Sequence, residues 1–231
     1  MKQPMDYIQI ISTEDGSHSL LNTALHETYH SKHGALRESR HVFIDAGLNF
    51  FVAGNRGKMV RVLEVGFGTG LNALLSLVHA KNESYQMYYE SWERNPLPVE
   101  IVELLNYGKL LDDSMGFNAI HKAPWGLEER INSSFILKKV HGDITRDTLS
   151  PSFDIIYYDA FAPDKQPDMW TMDVLKRVTD TLSLGGLLVT YCAKGQLKRD
   201  LASLGLLVET LPGPPGKREM TRASKPNNLI I

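Results

Sequence analysis

A chain of 231 residues, 42% of them hydrophobic, can bury one sizeable core, and none of its apolar runs approaches the roughly 18–20 residues that span a bilayer. Its single cysteine, Cys192, excludes an internal disulfide and a cysteine-based zinc site. With no signal-like apolar stretch after Met1, a cytoplasmic setting is expected. A net charge of −2 excludes a uniformly basic nucleic-acid binder, yet residues 190–231 hold seven basic residues against three acids, net +4, which leaves −6 for the rest.

Residues 1–50 read as an appendage and residues 51–231 as the main α/β domain. In the appendage, residues 7–12 form a strand and Asp15-Gly16 supplies a type I′ hairpin turn. A polar helix follows near 22–31, and residues 41–44 are a short strand or a buried connector. From 58 onward strands and helices alternate, which means a mostly parallel sheet. The strands are 61–65, 85–92, 134–140, 153–158, 186–191, 206–211 and 219–225. The helices are 71–80, 98–105, 168–182 and 196–204, the third capped by Asp168. Residues 107–132 are an irregular insert that holds Trp125.

The segment 61–72 is the most informative. An apolar run ends in Glu64. Glycines follow at 66, 68 and 70, with Phe67 and Thr69 between them, and then a helix begins. A strand that feeds a helix through a glycine-rich turn lets a ligand approach bare backbone. The spacing is G-x-G-x-G, and Leu71 stands where the dinucleotide fingerprint requires its third glycine. A carboxylate two residues before the turn repels a pyrophosphate but suits a ligand that carries an ammonium and a sulfonium. The pattern resembles the S-adenosyl-L-methionine (SAM) loop of Rossmann-like methyltransferases, and that resemblance implies cofactor contacts at Glu64, Gly66, Phe67, Gly68, Thr69 and Gly70.

Acids stand at or just past the ends of four successive strands: Glu64, Glu93, Asp143 and Asp159. Ligands of doubly wound sheets bind outside those ends. Glu93, 27 residues past Gly66, is spaced to meet ribose hydroxyls. Asp143 is then placed for the adenine amino group and Asp159 for the reacting end. Any one of these acids alone is more simply a turn or surface residue; four at one edge point to a shared site. After Asp159 come Phe161, Pro163 and Trp170. A carboxylate that accepts an amine N–H, enclosed by aromatic walls, suits methyl transfer to nitrogen. Trp170 shares an apolar helix face with Val174 and Leu175 and reads as a packing residue.

Three segments together resemble the MnmC/MnmD-type methyltransferases, which make 5-methylaminomethyl-(2-thio)uridine at the tRNA wobble position. They are Tyr29-His-Ser-Lys-His-Gly-Ala-Leu-Arg-Glu-Ser-Arg-His-Val-Phe43, Glu64-Val-Gly-Phe-Gly-Thr-Gly-Leu-Asn72, and Asp159-Ala-Phe-Ala-Pro163 with Pro167-Asp-Met-Trp170. Gly216-Lys-Arg-Glu-Met220 is similar to that family's terminal K-R-E-M. Ala160 stands where the family often has Gly, His30 where it often has Phe, and Lys32-His33 where it often has Glu-Asn. The resemblance implies a Rossmann-like fold with a seven-stranded sheet and helices on both faces, and SAM as cofactor. It implies Asp159 as the catalytic residue that receives the amine, with Tyr29, Phe161 and Pro163 around the substrate base; the basic C-terminal flank adds Lys217 and Arg218 as candidates for tRNA phosphate. The chain has no room for the flavin-dependent domain of two-domain members, so a stand-alone methyltransferase, supplied with aminomethyl-uridine by a separate enzyme, is expected.

His26, His30 and His33 fall on one helix face, but no acid completes a metal site, and structural or exposed histidines are favoured. A Rossmann-like aminopropyltransferase or small-amine methyltransferase places acids similarly, and Glu64 argues mildly against the former. A SAM-binding sensor or scaffold needs no Asp159 loop.

Overall fold

The computed structural model describes residues 7–55 and 57–227; residues 1–6 of the expected appendage lie outside the described residues. The first strands, β1 (Ile8–Ser12), β2 (His18–Asn22) and β3 (Glu27–Thr28), form a small antiparallel sheet. The β1–β2 loop is not a type I′ turn. Of the Asp15-Gly16 pair only Gly16 takes a positive φ, whereas type I′ requires two such residues. Asp15 uses its carboxylate instead, accepting from Thr13 Oγ1 at 2.9 Å and from the N–H groups of Ser17 and Arg37 at 3.0 Å each.

No helix forms over 22–31. The Asn22 side chain accepts from the N–H groups of Ala24 and Leu25, which closes a turn, and His26 then adopts a φ of +50°. Residues 41–44 are helical rather than extended. They lie in a run made of α1 (Ala35–Ser39), a π-helical stretch (Arg40–Asn49) and α2 (Phe50–Gly54). The expected boundary at 50 therefore falls inside a helical run whose Val42, Phe43, Ile44 and Leu48 join the main core.

The large sheet contains β4 (Val60–Val65), β5 (Met87–Glu93), β6 (Glu128–Asn132), β7 (Phe135–His141), β8 (Phe153–Tyr158), β9 (Leu182–Thr190), β10 (Leu207–Pro212) and β11 (Glu219–Ser224). Its order is β10-β11-β9-β8-β4-β5-β7-β6. The five strands from β9 to β7 are parallel; β11 is antiparallel to β9 and β10 to β11. Seven of these are the expected strands. The eighth, β6, comes from the segment read as irregular and pairs antiparallel with β7 at the edge. That segment also forms the short helices α5 (Tyr107–Leu110) and α6 (Ser114–Lys122), the latter capped by Asp113, whose side chain accepts from Gly116 N–H at 2.7 Å.

Alternation along the central strands sorts their side chains onto two faces. Val62, Tyr89, Leu137, Ile155 and Tyr157 pack under α3 (Leu71–Asn82) and the helical run 35–54. Leu63, Tyr88, Ile156, Tyr158 and Leu188 pack with α7 (Met172–Asp180) and α8 (Gly195–Ser203). The expected helix at 98–105 shrinks to α4 (Val99–Val102). The one expected from Asp168 is split. Pro167–Trp170 form a 3₁₀ turn, Thr171 becomes extended, and its hydroxyl accepts from Val174 N–H to cap α7. Among the described residues no helix is long and apolar enough to cross a membrane.

Candidate active site

Parallel register brings the ends of β8, β4, β5 and β7 level. Val65 lies between Tyr158 and Trp92, and Glu93 stands opposite His141. The backbone then ties the four strand ends together. Asp159 N–H donates to Val65 O, Gly66 N–H to Trp92 O, and Gly142 N–H to Glu93 O, each at 3.0 Å. Over this edge lies a cavity of about 1020 Å³. Gly66, Phe67, Gly68, Thr69, Glu93, Asp143, Asp159, Tyr29, Phe161 and Lys217 line it; Glu64, Gly70, Pro163 and Arg218 do not.

The two cavity-lining glycines of the turn are required by geometry. Gly66 has a φ of +96°, and a Cβ there would lie 2.9 Å from the Asp159 carbonyl oxygen. Gly68 has a φ of +48°, and a Cβ would lie 3.3 Å from the Tyr29 ring. Around the turn, Thr69 is buried, its hydroxyl against His30 Nε2 at 2.9 Å. Burial drives the His30 imidazole down to about 4, so it is neutral. The Phe67 ring is buried edge-on to His121 and Trp125.

Glu93 braces the turn, accepting from Gly68 N–H at 3.0 Å and from Asn95 N–H at 2.8 Å. Its two oxygens retain lone pairs for a further donor. Asp143 is 5% exposed, and its Oδ1 accepts from the Thr145 hydroxyl and N–H. Arg94 and Arg146 stand 3.6 and 3.5 Å from its Oδ2. The Thr145 hydrogen bonds and then the two guanidinium charges hold its carboxyl below the usual range.

Glu64 departs from its expected place against the ligand's ammonium. Its position on β4 turns it to the α3 face, where it is fully buried beneath the glycine turn and accepts from Ser91 Oγ at 2.5 Å. Burial pushes its carboxyl up to about 8, and the Asp159 charge adds to the rise. Its Oε1, Asn72 Oδ1 and Tyr89 Oη are buried without a hydrogen-bond partner among the described residues.

Asp159 opens the loop after β8. Asn72, on the first turn of α3, donates from Nδ2 to Asp159 Oδ2 at 2.8 Å. Burial pushes the Asp159 carboxyl up to about 7; the Glu38 charge adds to this, while the Asn72 bond and the Lys217 charge oppose it. Tyr29 and Phe161 meet edge-to-face at 5.0 Å and form an aromatic wall. Trp170 is a packing residue, its indole donating to Phe161 O at 2.7 Å and its ring set against Tyr158.

Sequence reasoning missed Asn72, Glu38 and Tyr191. Asn72 sits two residues past the last glycine, where a first-turn side chain points back toward the strand ends. That signal could have been used. Glu38 and Tyr191 reach the cavity only through tertiary packing.

His26, His30 and His33 share no helix face: His26 is in a turn, His30 contacts Thr69, and His33 pairs with Glu14 at 3.0 Å. Among the described residues no group of three or more His, Cys, Asp or Glu could hold a metal ion. Cys192 is buried, and burial raises its thiol.

For SAM the cavity's features agree. The turn offers backbone free of Cβ atoms at Gly66 and Gly68, Glu93 and Asp143 supply acceptors for hydroxyl and amino groups, and the volume suits a ligand of that class. A family model described as S-adenosyl-L-methionine-dependent methyltransferase matches residues 122–226. The bifunctional protein MnmC of tRNA 5-methylaminomethyl-2-thiouridine biosynthesis from Cupriavidus necator is 30% identical over 211 residues, covering 86% of this chain and 32% of that protein. The corresponding protein of Acidovorax is 28% identical, covering 97% of this chain and 35% of its own length. The chain thus spans about a third of the curated relatives it matches. Among solved structures, MnmC2 from Aquifex aeolicus superposes with a TM-score of 0.76 at 26% identity, over 95% of this chain and 72% of that one. Spermidine synthase from Thermotoga maritima, at 14% identity and a TM-score of 0.60, shares the fold.

Proposed function

We infer that this chain, which belongs to the MnmC/MnmD-type SAM-dependent methyltransferases, methylates the aminomethyl nitrogen of 5-aminomethyl-(2-thio)uridine at the wobble position of tRNA. The observation that carries the reading is Asp159. It is an acid with a carboxyl near 7, anchored by Asn72 at the end of β8, in a cavity it shares with a glycine-rich turn and an aromatic wall.

The Gly66–Thr69 turn, Glu93 and Asp143 would hold SAM, with Glu93 taking ribose hydroxyls and Asp143 the adenine amino group. When bound, SAM supplies a methyl group on a positively charged sulfur, open to attack by a nitrogen lone pair. Ionised Asp159 accepts an N–H of the substrate amine and so aims its lone pair. With its carboxyl near 7 it can also take the proton that an ammonium must lose before it attacks. Tyr29 and Phe161 flank a planar base and exclude water. A wobble nucleotide, already in a loop, leaves its stack to enter such a cavity at little cost. Arg218, exposed beside the cavity residue Lys217, is assigned to tRNA phosphate. The reading carries with it a cytoplasmic setting and a separate enzyme that supplies the aminomethyl-uridine. It also takes residues 1–50 as an appendage to a methyltransferase domain of residues 51–231, with Tyr29 of the appendage lining the cavity.

The test is incubation with methyl-labelled SAM and tRNA from cells unable to complete this modification, followed by nucleoside analysis. Label should appear in 5-methylaminomethyl-(2-thio)uridine. Label in another nucleoside, or in none, overturns the reading.

A further inference from the structure

One wall of the cavity is built by opposite ends of the chain. Glu38, on α1, is 7% exposed. Its Oε2 accepts from Ser31 N–H at 2.7 Å, and its Oε1 accepts from Lys217 Nζ at 2.7 Å. Lys217 belongs to the β10–β11 connection, and its ammonium lies 3.8 Å from the centre of the Tyr191 ring. The Tyr191 hydroxyl donates to Ala160 O at 2.8 Å, one residue beyond Asp159. Glu38, Lys217, Tyr191 and Asp159 all line the same cavity. The contact is reinforced nearby, where Gly216 abuts His33 so closely that a Cβ would clash with the imidazole, and His41 Nε2 meets Pro212 O at 2.8 Å.

We propose that Glu38 and Lys217 are positioning residues of opposite sign which, through Tyr191 and the Ala160 carbonyl it holds, fix the loop that carries Asp159 and the field across the cavity in which Asp159 acts. The proposal rests on the reading that Asp159 receives the substrate nitrogen. An ion pair with one member removed leaves its partner's charge uncompensated beside Asp159. Loss of Glu38's charge therefore favours the ionised Asp159, and loss of Lys217's charge disfavours it. The other groups that face Asp159 are Glu64 on β4, Tyr89 on β5, Asn72 on α3 and Tyr191 on β9. Burial keeps both tyrosines protonated throughout, while Glu64, raised to about 8, titrates just above Asp159 and is common to every variant compared. Glu38 and Lys217 also oppose one another among the causes of the Asp159 shift, the acid raising it and the lysine lowering it.

The experiment titrates the Asp159 side-chain carboxyl by carbon-13 NMR, assigned by its loss in Asp159→Asn, in the parent, Glu38→Gln, Lys217→Met and the double variant. The Glu38→Gln midpoint should fall and the Lys217→Met midpoint should rise, each by about one pH unit, and the double variant should return toward the parent. In parallel, the acid limb of the methyl-transfer rate at saturating SAM should move with each midpoint. Lys217→Met should then be roughly five-fold slower than the parent at pH 7, with the KM for SAM unchanged. Lys217→Arg should restore the parental profile, which a loss of packing alone would not produce. Coincident midpoints, or shifts of the same sign in both single variants, overturn the proposal. If Glu38→Gln does not fold, the sign of the Lys217→Met shift and its reversal by arginine decide the matter alone. The NMR titration stands whether or not the parent methylates tRNA, so failure of the assigned substrate is distinguishable from failure of the pair.

Discussion

At the carboxyl edge of the sheet, Glu93, Asp143 and Asp159 arrive from three separate strands and converge on one cavity. In residues 194–225 the seven basic side chains scatter. Arg222 is buried, bonded to Glu209 and the Ala46 carbonyl, with its guanidinium over Phe50. Lys225 Nζ donates to the Leu182 carbonyl, Lys198 pairs with Glu219, and Lys194 pairs with Asp164. Lys217 turns into the cavity wall. Arg199 bonds Gln196, and Arg218, exposed, makes no ion pair among the described residues. The acids converge because parallel strand ends are level in space. The basic run disperses because a helix and two antiparallel strands send consecutive side chains in different directions. A charge count therefore points to a ligand only where topology gathers the charges.

The largest test of the convergence is Gly68→Val. A branched side chain at a φ of +48° is strained by about 1–3 kcal/mol and presses on Tyr29 besides filling the cavity, so SAM affinity should fall roughly a hundredfold or more by calorimetry. Retained affinity would separate the turn from the cofactor. Glu93→Gln keeps the shape but weakens charge-assisted bonds worth about 1.5–3 kcal/mol each, and SAM affinity should fall about tenfold or more. Asp143→Asn should do less, because Arg94 and Arg146 already engage that carboxylate.

A pH test follows from the buried acids. Asp159 and Glu64 are raised in the fold to about 7 and about 8. The stability their protonated forms contribute is fully present below the ordinary carboxylate range and is lost as pH rises through those values. Asp159→Asn should thus melt at a higher temperature than the parent at pH 8 and near the parental temperature at pH 4. A lower melting temperature at pH 8 would mean that the ionised form is stabilised in the fold. The smallest effect belongs to the basic flank. Arg218→Ala should raise the KM for tRNA by a few-fold and flatten its salt dependence by about one phosphate contact, while Lys198→Ala should change neither.

The parts of the molecule legible in the sequence were those governed by local period and spacing. The parallel strands show as apolar stretches bounded by turn signals, although Arg61 and Glu64 interrupt β4, Glu90 interrupts β5, and Lys138 and Lys139 interrupt β7, and the glycine turn is written in six residues. The helical run 35–54 was hidden because its Val42-Phe-Ile44 centre is β-branched and aromatic, and its helicity comes from packing on α3 and β9. Asp168 looked like the cap of α7, but Pro167 starts a 3₁₀ turn and passes that role to Thr171. Within the site, Asp159 and Glu93 could be placed from strand ends. The pairing of Glu38 with Lys217 joins residues 179 apart, and no local pattern encodes it.

The central claim is that Asp159 acts on the substrate nitrogen rather than on the cofactor. Single-turnover methyl transfer to the hypomodified tRNA at saturating SAM, parent against Asp159→Asn, tests it most directly. The account predicts SAM affinity within about twofold of the parent and a transfer rate lower by roughly 10²-fold or more, the usual contribution of a positioned acid–base group. Transfer at the parental rate would contradict it.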